Sequence, residues 1–218
     1  MNDISSHNKI CSGAVILAGG DSKRLGRPKT LLDFDGISLI ELIVKNLNPL
    51  FEEITVVTDH PELYRDLPVR LAGDLFTNSE KSPLRGIHAG LRTSSLPYQF
   101  VVACDMPFLN SRLIRYMAGF TSNYDAVVPR INSYFQPLHS FYNRSCADAI
   151  EKQIKLGKCK VTDFYTDLHI KFIGREDIER FDPHQESFVN INTLADYQKA
   201  LSNYRRKNEE RKIISGGE

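Results

Sequence analysis

The stretch AVILAGGDSKRLGRPKTLL at residues 14–32 decides the fold and suggests a first functional hypothesis. Its opening apolar residues are typical of a buried strand. Gly19, Gly20 and a run of basic residues follow, a layout common in phosphate-binding loops. Glycine lets backbone N–H groups approach an anion closely, and basic side chains add charge-assisted hydrogen bonds. We therefore predict a phosphate loop in which Arg24 and Lys29 are separate basic contacts. An ordinary turn with solvated charges is the alternative.

Two common nucleotide-binding motifs do not fit this loop. A P-loop ends in Gly-Lys followed by Ser or Thr, whereas Lys29 follows Pro28. The dinucleotide fingerprint Gly-x-Gly-x-x-Gly fails as well, because the glycine that follows the Gly19-Gly20 pair is Gly26. Pro28 favours an extended conformation at the residue before it. The loop is therefore long enough to wrap one ligand, and no helix runs through Pro28.

Length, charge and cysteine content limit the class of protein. A chain of 218 residues with 41% hydrophobic content can bury one good core. A net charge of +1 indicates no general affinity for nucleic acid or an anionic membrane. The 4 cysteines are scattered, which argues against a zinc site or a disulfide framework and for a reducing compartment. With neither a signal peptide nor a membrane-spanning apolar run, we expect a cytoplasmic protein.

The order of predicted elements indicates an α/β fold. Strands alternate with helices over most of the chain, which predicts a mostly parallel sheet with helices on both faces and ligands at the carboxyl ends of the strands. We predict one domain over residues 13–204, a flexible N-terminus at residues 1–12 and a charged tail at residues 205–218. Residues 126–142 interrupt the alternation, which predicts a mixed edge of the sheet or a subdomain that receives a second substrate.

Candidate functional residues follow the predicted strands. Asp105 comes directly after an apolar strand, and a carboxylate there suits Mg²⁺, which takes oxygen ligands and bridges to nucleotide phosphates; a turn-capping role is the alternative. Asp74 is a candidate acceptor for a base or a ribose, or else a surface turn residue. Asn190 and Asn192 alternate and so face the same way, towards a polar substrate, unless Asn192 caps the last helix. We interpret His139 as structural.

Several segments together resemble the MobA-like nucleotidyltransferases. The loop Leu-Ala-Gly-Gly-x-Ser-x-Arg-Leu-Gly-x-x-Lys at residues 17–29 is similar to the signature loop of that family. Ser-Pro-Leu-Arg-Gly-Ile at residues 82–87 resembles its Gly-Pro-Leu-Ala-Gly segment, and Cys-Asp-Met-Pro at residues 104–107 its metal-binding turn. Gln-Pro-Leu at residues 136–138 and Asn-Ile-Asn-Thr at residues 190–193 also match family segments. The resemblance covers most of the chain.

The resemblance implies a fold and an activity. The fold is a single-domain, Rossmann-like three-layer sandwich of the nucleotide-diphospho-sugar transferase type. The activity is transfer of GMP from GTP to molybdopterin, with release of pyrophosphate and with Mg²⁺ as cofactor. Molybdoenzymes or other cofactor-biosynthesis proteins are the implied protein partners.

The resemblance also implies roles for individual residues. Arg24 and Lys29 would neutralise phosphate charge, and Asp105 would bind Mg²⁺ beside the nucleotide. Other nucleotide contacts would come from Leu17, Ala18, Gly19, Gly20 and Asp74. The pterin substrate would lie against Pro83, Leu84, Asn190 and Asn192.

Two departures from the family pattern leave alternatives open. The Pro28-Lys29 ending resembles that of related cytidylyltransferases, and Ser82-Pro83 replaces Gly-Pro. The Ala18-Gly19-Gly20 sequence favours the guanylyltransferases instead. The alternatives are a molybdopterin or sugar-phosphate cytidylyltransferase of the same fold, and a non-catalytic carrier of molybdopterin or nucleotide.

Overall fold

Helices cover both faces of a single sheet in the computed structural model, which describes residues 8–19, 28–76 and 81–215. The strands are β1 (Gly13–Leu17), β2 (Ile54–Val57), β3 (Arg70–Ala72), β4 (Tyr98–Ala103), β5 (Ala126–Ile131), β6 (Tyr134–Phe135), β7 (His139–Asn143) and β8 (Ile170–Ile173). The α-helices are α1 (Leu39–Leu47), α2 (Pro83–Thr93), α3 (Ser111–Ala118), α4 (Cys146–Lys155), α5 (Arg175–Glu179) and α6 (Leu194–Ser215). The predicted three-layer α/β fold is confirmed.

The sheet has a parallel half and a mixed half. Its strand order is β3-β2-β1-β4-β7-β5-β6, and β8 pairs with β5. Strands β1 to β4 are mutually parallel where they pair, with Val15 opposite both Thr55 and Val101. The mixed character predicted for residues 126–142 is confirmed, since β7 runs antiparallel to β5 and also to β4. The mixed half therefore begins inside the sheet, directly beside β4.

The apolar alternation of the strands divides the core into two layers. On β1, Ala14 and Ile16 face the layer that contains α1 and α3, whereas Val15 and Leu17 face the layer that contains α2 and α4. Helix α2 lies close to β1 because Gly90 has no side chain. A Cβ at Gly90 would lie 2.4 Å from a methyl carbon of Val15. This close packing brings the N-terminus of α2 to the end of β1.

Local signals in the sequence account for several helix ends. Ser38 and Glu41 form a reciprocal capping box at the start of α1. The side chain of Asn110 accepts hydrogen bonds from Arg112 N and Leu113 N and so caps the start of α3. Gly157, with φ +72°, follows α4 as the expected glycine stop.

The last helix is longer than the sequence predicted. The sequence predicts a separate charged tail from residue 205, but α6 continues to Ser215. Charged residues drove that prediction, yet arginine, lysine and glutamate are good helix formers and a charged helix face is stable in water. Beyond Tyr204, Arg205 pairs with Asp35 and Lys207 pairs with Glu186. Along residues 8–19, 28–76 and 81–215, no helix combines the length and apolar character needed to cross a membrane.

Residues 8–12 are attached to the domain. Ile10 N donates to Leu50 O at 2.7 Å, and Arg115 donates to the carbonyl of Asn8 at 2.8 Å. The other residues of the predicted flexible N-terminus, 1–7, lie outside the described part of the chain.

His139 is a core residue, in agreement with the structural role that we predicted. It is fully buried on β7, with its ring centroid 5.0 Å from that of Phe100 and 4.8 Å from that of Phe188. Neither ring nitrogen has a hydrogen-bond partner among the described residues. Burial disfavours the charged imidazolium and lowers the pKa of His139 from 6.5 to about 3.

His139 is therefore expected to make the protein less stable in acid. In the unfolded chain the imidazole takes up a proton below pH 6.5, whereas the folded protein resists protonation down to about pH 3. The free energy of unfolding should fall by about 2 kcal/mol through this residue between pH 7.5 and pH 5. Urea unfolding measures the free energy of unfolding at pH 7.5 and at pH 5. The decrease between the two pH values should be smaller in His139→Leu than in the wild type by about 2 kcal/mol. Equal pH dependence in the variant and the wild type would contradict the prediction.

Candidate functional site

A pocket of about 440 Å³ opens at the carboxyl ends of the central parallel strands. Leu17 and Gly19 line it at the end of β1, Val57 and Thr58 at the end of β2, and residues 103–105 at the end of β4. The chain order of the strands reverses between β1 and β4, the position where open α/β sheets bind ligands. The carboxyl ends of the strands, where we predicted ligand binding, therefore form a pocket.

Lys29 contacts two predicted residues, Asp105 and Asn192, that line this pocket. Lys29 Nζ donates to Asn192 Oδ1 at 2.8 Å and lies 3.4 Å from Asp105 Oδ2. The side chains of Lys29 and Asp105 are each 20% exposed, so this ion pair is only partly shielded from water. Lys29 lies on a single 3₁₀ turn, Lys29–Leu31, which follows the extended residue Pro28. A cation and a carboxylate thus face the same space from different parts of the chain.

Backbone contacts hold this wall together. Ile191 N donates to the carbonyl oxygen of Asp105 at 2.9 Å, which ties the segment before α6 to the end of β4. The Asp196 carboxylate accepts from the N–H groups of Asn192 and Thr193, and these hydrogen bonds lower the pKa of Asp196. Thr193 Oγ1 accepts from Asp196 N at 3.1 Å in return. Thr193 therefore caps α6, and the side chain of Asn192 is available to hold Lys29.

The opposite wall comes from the loop after β3 and the start of α2. Asp74 and Pro83 both line the pocket, as predicted candidates for the nucleotide and the pterin. Lys81 Nζ lies 2.8 Å from Asp59 Oδ2 on the rim, where both side chains are exposed. Such an exposed pair contributes little to stability, but it places charges of both signs at the entrance.

The remaining predicted residues take different positions. The N–H of Ala18 donates to Val57 O, and the carbonyl of Leu17 accepts from Cys104 N, so these main-chain groups already bond to neighbouring strands. Leu84 is fully buried in the core layer of α2 and α4, so its side chain does not face the pocket. Gly20 and Arg24 lie outside the described residues.

Our sequence analysis missed Arg85 and Lys81. Arg85 is buried and its Nε lies 2.7 Å from Asp74 Oδ2. One signal for Arg85 was present, because this arginine stands where the resembling family segment has alanine. Lys81 directly precedes the Ser82-Pro83 match, but nothing in its sequence context distinguishes it from a solvated surface lysine.

The chemistry available in the pocket is positioning and charge neutralisation. Cys104 lines the pocket beside Asp105, but burial, reinforced by the negative charge of Asp105, raises the pKa of its thiol to about 12. The thiol is therefore protonated at neutral pH and is not an activated nucleophile. Lys29 and Asp105 instead suit a substrate that carries phosphates.

A divalent cation fits Asp105 only together with other ligands. Over the described ranges, no group of three or more His, Cys, Asp or Glu residues is arranged to hold a metal ion. Mg²⁺ commonly binds to one or two protein carboxylates and completes its shell with water and substrate phosphates. The single carboxylate of Asp105 therefore matches an ion that binds along with a nucleotide.

Comparison with known proteins places this pocket in a family context. The family model described as the MobA-like NTP transferase domain matches residues 14–168. This range includes β1, the glycine loop, Asp74, α2 and the Asp105 turn, and ends before Asn190 and Asn192.

Individual relatives match most of the chain. A probable molybdenum cofactor guanylyltransferase from Pelotomaculum thermopropionicum is 37% identical over 186 residues, covering 85% of this chain and 90% of the relative. A molybdenum cofactor guanylyltransferase from Syntrophotalea carbinolica is 36% identical over 188 residues, covering 85% and 89%. The crystal structure of molybdopterin-guanine dinucleotide biosynthesis protein A from Archaeoglobus fulgidus superposes with a TM-score of 0.78 at 28% identity, covering 89% of this chain and 99% of that one.

Proposed function

Because the chain belongs to the MobA-like NTP transferase family, whose members are nucleotidyltransferases, we propose that it is a molybdenum cofactor guanylyltransferase. It would transfer GMP from GTP to molybdopterin and release pyrophosphate, giving the guanine dinucleotide form of the cofactor. The observation that carries the proposal is the contact of Lys29 with Asp105 and Asn192, two residues that line the strand-end pocket.

The reaction exchanges one phosphoanhydride bond for another. An oxygen of the pterin's terminal phosphate attacks the α-phosphorus of GTP and forms a new P–O bond. The bond from the α-phosphorus to the bridging oxygen breaks, and pyrophosphate leaves with its electron pair. The attacking phosphate oxygen is already ionised at neutral pH, so the reaction needs no general base. Such chemistry depends mainly on positioning and electrostatic stabilisation.

Different residues in and beside the pocket would neutralise charge and position the two substrates. Lys29 would neutralise charge on the triphosphate and the departing pyrophosphate, together with Arg24 of the glycine loop. Gly19 and Gly20 would hold the nucleotide beside β1, and Leu17 and Ala18, whose main chain bonds to the neighbouring strands, would position this loop. The pterin would lie against Pro83 and Asn190, and Leu84 would act there only through its main chain.

We propose Mg²⁺ as the metal and Asp105 as its protein ligand. When bound beside Asp105, Mg²⁺ would neutralise negative charge on the phosphates of the nucleotide. The Asp105 carboxylate offers oxygen ligands, which this hard cation prefers. The cytoplasm is the proposed compartment, and molybdoenzymes or other cofactor-biosynthesis proteins are the proposed partners.

Calorimetric titration with GTP and with CTP, each with Mg²⁺, tests the base assignment. Tighter binding of GTP supports the guanylyltransferase. Tighter binding of CTP would favour the second candidate function, a cytidylyltransferase. The Pro28-Lys29 ending of the loop is the observation that supports this candidate. A pyrophosphate-release assay with molybdopterin then separates an enzyme from a carrier, since a carrier would bind both ligands without producing pyrophosphate.

Asn192→Ala is expected to lower kcat/KM for GTP by about tenfold, because the variant removes one hydrogen bond to a charged group. The loss should appear with GTP as the varied substrate, since Asn192 Oδ1 accepts from Lys29 Nζ. Steady-state kinetics with each substrate varied in turn provides the measurement. Asn48→Ala, an exposed change at the far end of α1, is the control. A defect confined to the KM for molybdopterin would instead place Asn192 against the pterin.

A further inference from the structure

Arg85 is a buried charged side chain directly behind the pocket wall. It is the third residue of α2, and its side chain is only 5% exposed. Its Nε lies 2.7 Å from Oδ2 of Asp74, which itself lines the pocket and is 18% exposed. A buried charge is costly unless it is paired. The Asp74 carboxylate therefore supplies negative charge that compensates the buried guanidinium of Arg85.

Both carboxylate oxygens of Asp74 are held in place. Oδ1 accepts a hydrogen bond from the N–H of Phe76 at 2.9 Å, and Oδ2 faces Arg85. The ring of Phe76 packs edge-on against His88, with the centroids 5.0 Å apart. His88 lies one helical turn after Arg85 on α2. Two separate contacts thus fix the loop after β3 to α2 and give the carboxylate one orientation.

A carboxylate in this position presents only acceptors to the pocket. Each oxygen has a further lone pair beyond the contact that holds it. Guanine places two adjacent N–H donors, N1–H and the 2-amino group, on one edge, and a carboxylate accepts from both. Cytosine places one amino donor beside the N3 and O2 acceptors, which a carboxylate repels. A fixed acceptor is therefore a means of choosing between these bases.

We infer that Arg85 is a positioning residue that determines base specificity by holding the Asp74 carboxylate against the donor edge of guanine. The inference rests on the proposed guanylyltransferase function and assigns its base preference to this ion pair. Arg85 acts through Asp74, since Arg85 itself is not among the residues that line the pocket.

The test compares the dissociation constants for GTP, CTP and inosine triphosphate, which lacks the 2-amino group, by calorimetry with Mg²⁺. The wild type should prefer GTP over both. In Arg85→Met the GTP-to-CTP and GTP-to-inosine triphosphate preferences should each fall about tenfold, because the carboxylate loses its fixed orientation. Asp74→Asn should lose both preferences, since an amide can turn a donor towards the base.

Arg70→Met is the matched control. It also removes an arginine from a 2.8 Å ion pair, in this case with Glu53, outside the pocket. Both preferences should equal those of the wild type. If circular dichroism shows that Arg85→Met does not fold, Arg85→Lys provides the test. It keeps the buried charge, and it should reduce the preferences about threefold because an ammonium lacks the planar fork of arginine.

The outcomes separate the inference from the proposed function. A wild type that prefers GTP, together with a folded Arg85 variant that keeps both preferences, overturns the inference and leaves the function intact. A wild type that prefers CTP, or that binds neither nucleotide, overturns the proposed function and the inference with it.

Discussion

Asp105→Asn is expected to lower kcat by about 10³-fold or more while leaving the fold intact. The variant keeps the shape of the side chain but removes the negative charge that faces the pocket at the end of β4. Loss of a metal-binding carboxylate removes several kcal/mol of transition-state stabilisation, which corresponds to a rate effect of this size. Pyrophosphate release with molybdopterin and saturating GTP and Mg²⁺ provides the measurement.

The fold should survive because the backbone contacts of Asp105 do not involve its side chain. Ile191 N donates to the carbonyl of residue 105, and this bond remains in the variant. Unfolding curves should therefore change little. Asp66→Asn, an exposed change in the loop before β3, controls for the loss of one carboxylate. Near-wild-type turnover of Asp105→Asn in Mg²⁺ buffer would remove Asp105 from the mechanism.

Lys29→Met should weaken GTP binding by about 2 kcal/mol or more, a factor of roughly 30, because it removes the cation that we propose contacts the phosphates. Methionine has a similar length and no charge, so the packing of the 3₁₀ turn changes little. Calorimetric titration of GTP measures the effect. Lys152→Met, an exposed change on α4, is the control. An unchanged dissociation constant would show that Lys29 does not contact the nucleotide.

The contact between Lys29 and Asp105 predicts that their effects are coupled. With Nζ and Oδ2 only 3.4 Å apart, each residue changes the electrostatic environment of the other. The double variant Lys29→Met/Asp105→Asn should therefore lose less GTP affinity than the sum of the two single losses. Strict additivity would argue that the two side chains act separately on the ligand.

Much of the architecture could be predicted because its signals are local. Strands β1, β2 and β4 are short apolar runs, and parallel strands bring their carboxyl ends to the same edge of a sheet. That rule predicts that the glycine loop and Asp105 lie near each other at one edge of the sheet. The caps at Ser38 and Asn110 depend on residues close by in the sequence, so they can also be predicted from the sequence.

Other features depend on contacts between distant residues. The place of β7 beside β4 is a long-range pairing, and residues 126–142 alone indicate only that two strands pair. The extension of α6 to Ser215 depends on whether a charged segment is held against the domain. Composition cannot decide that, because helix-forming residues also occur in solvated tails.

The sequence by itself determined the sheet, because strand periodicity is a local property. It also predicted a site at the strand ends, with Lys29 as a phosphate contact and Asp105 as a metal ligand, from the residues that follow each strand. Only the tertiary structure decided which side chains touch. Lys29 meets Asn192 from 163 positions away, and Arg85 meets Asp74 behind the pocket wall. Such contacts depend on the packing of helices and loops onto the sheet, a product of the whole core that no short segment encodes.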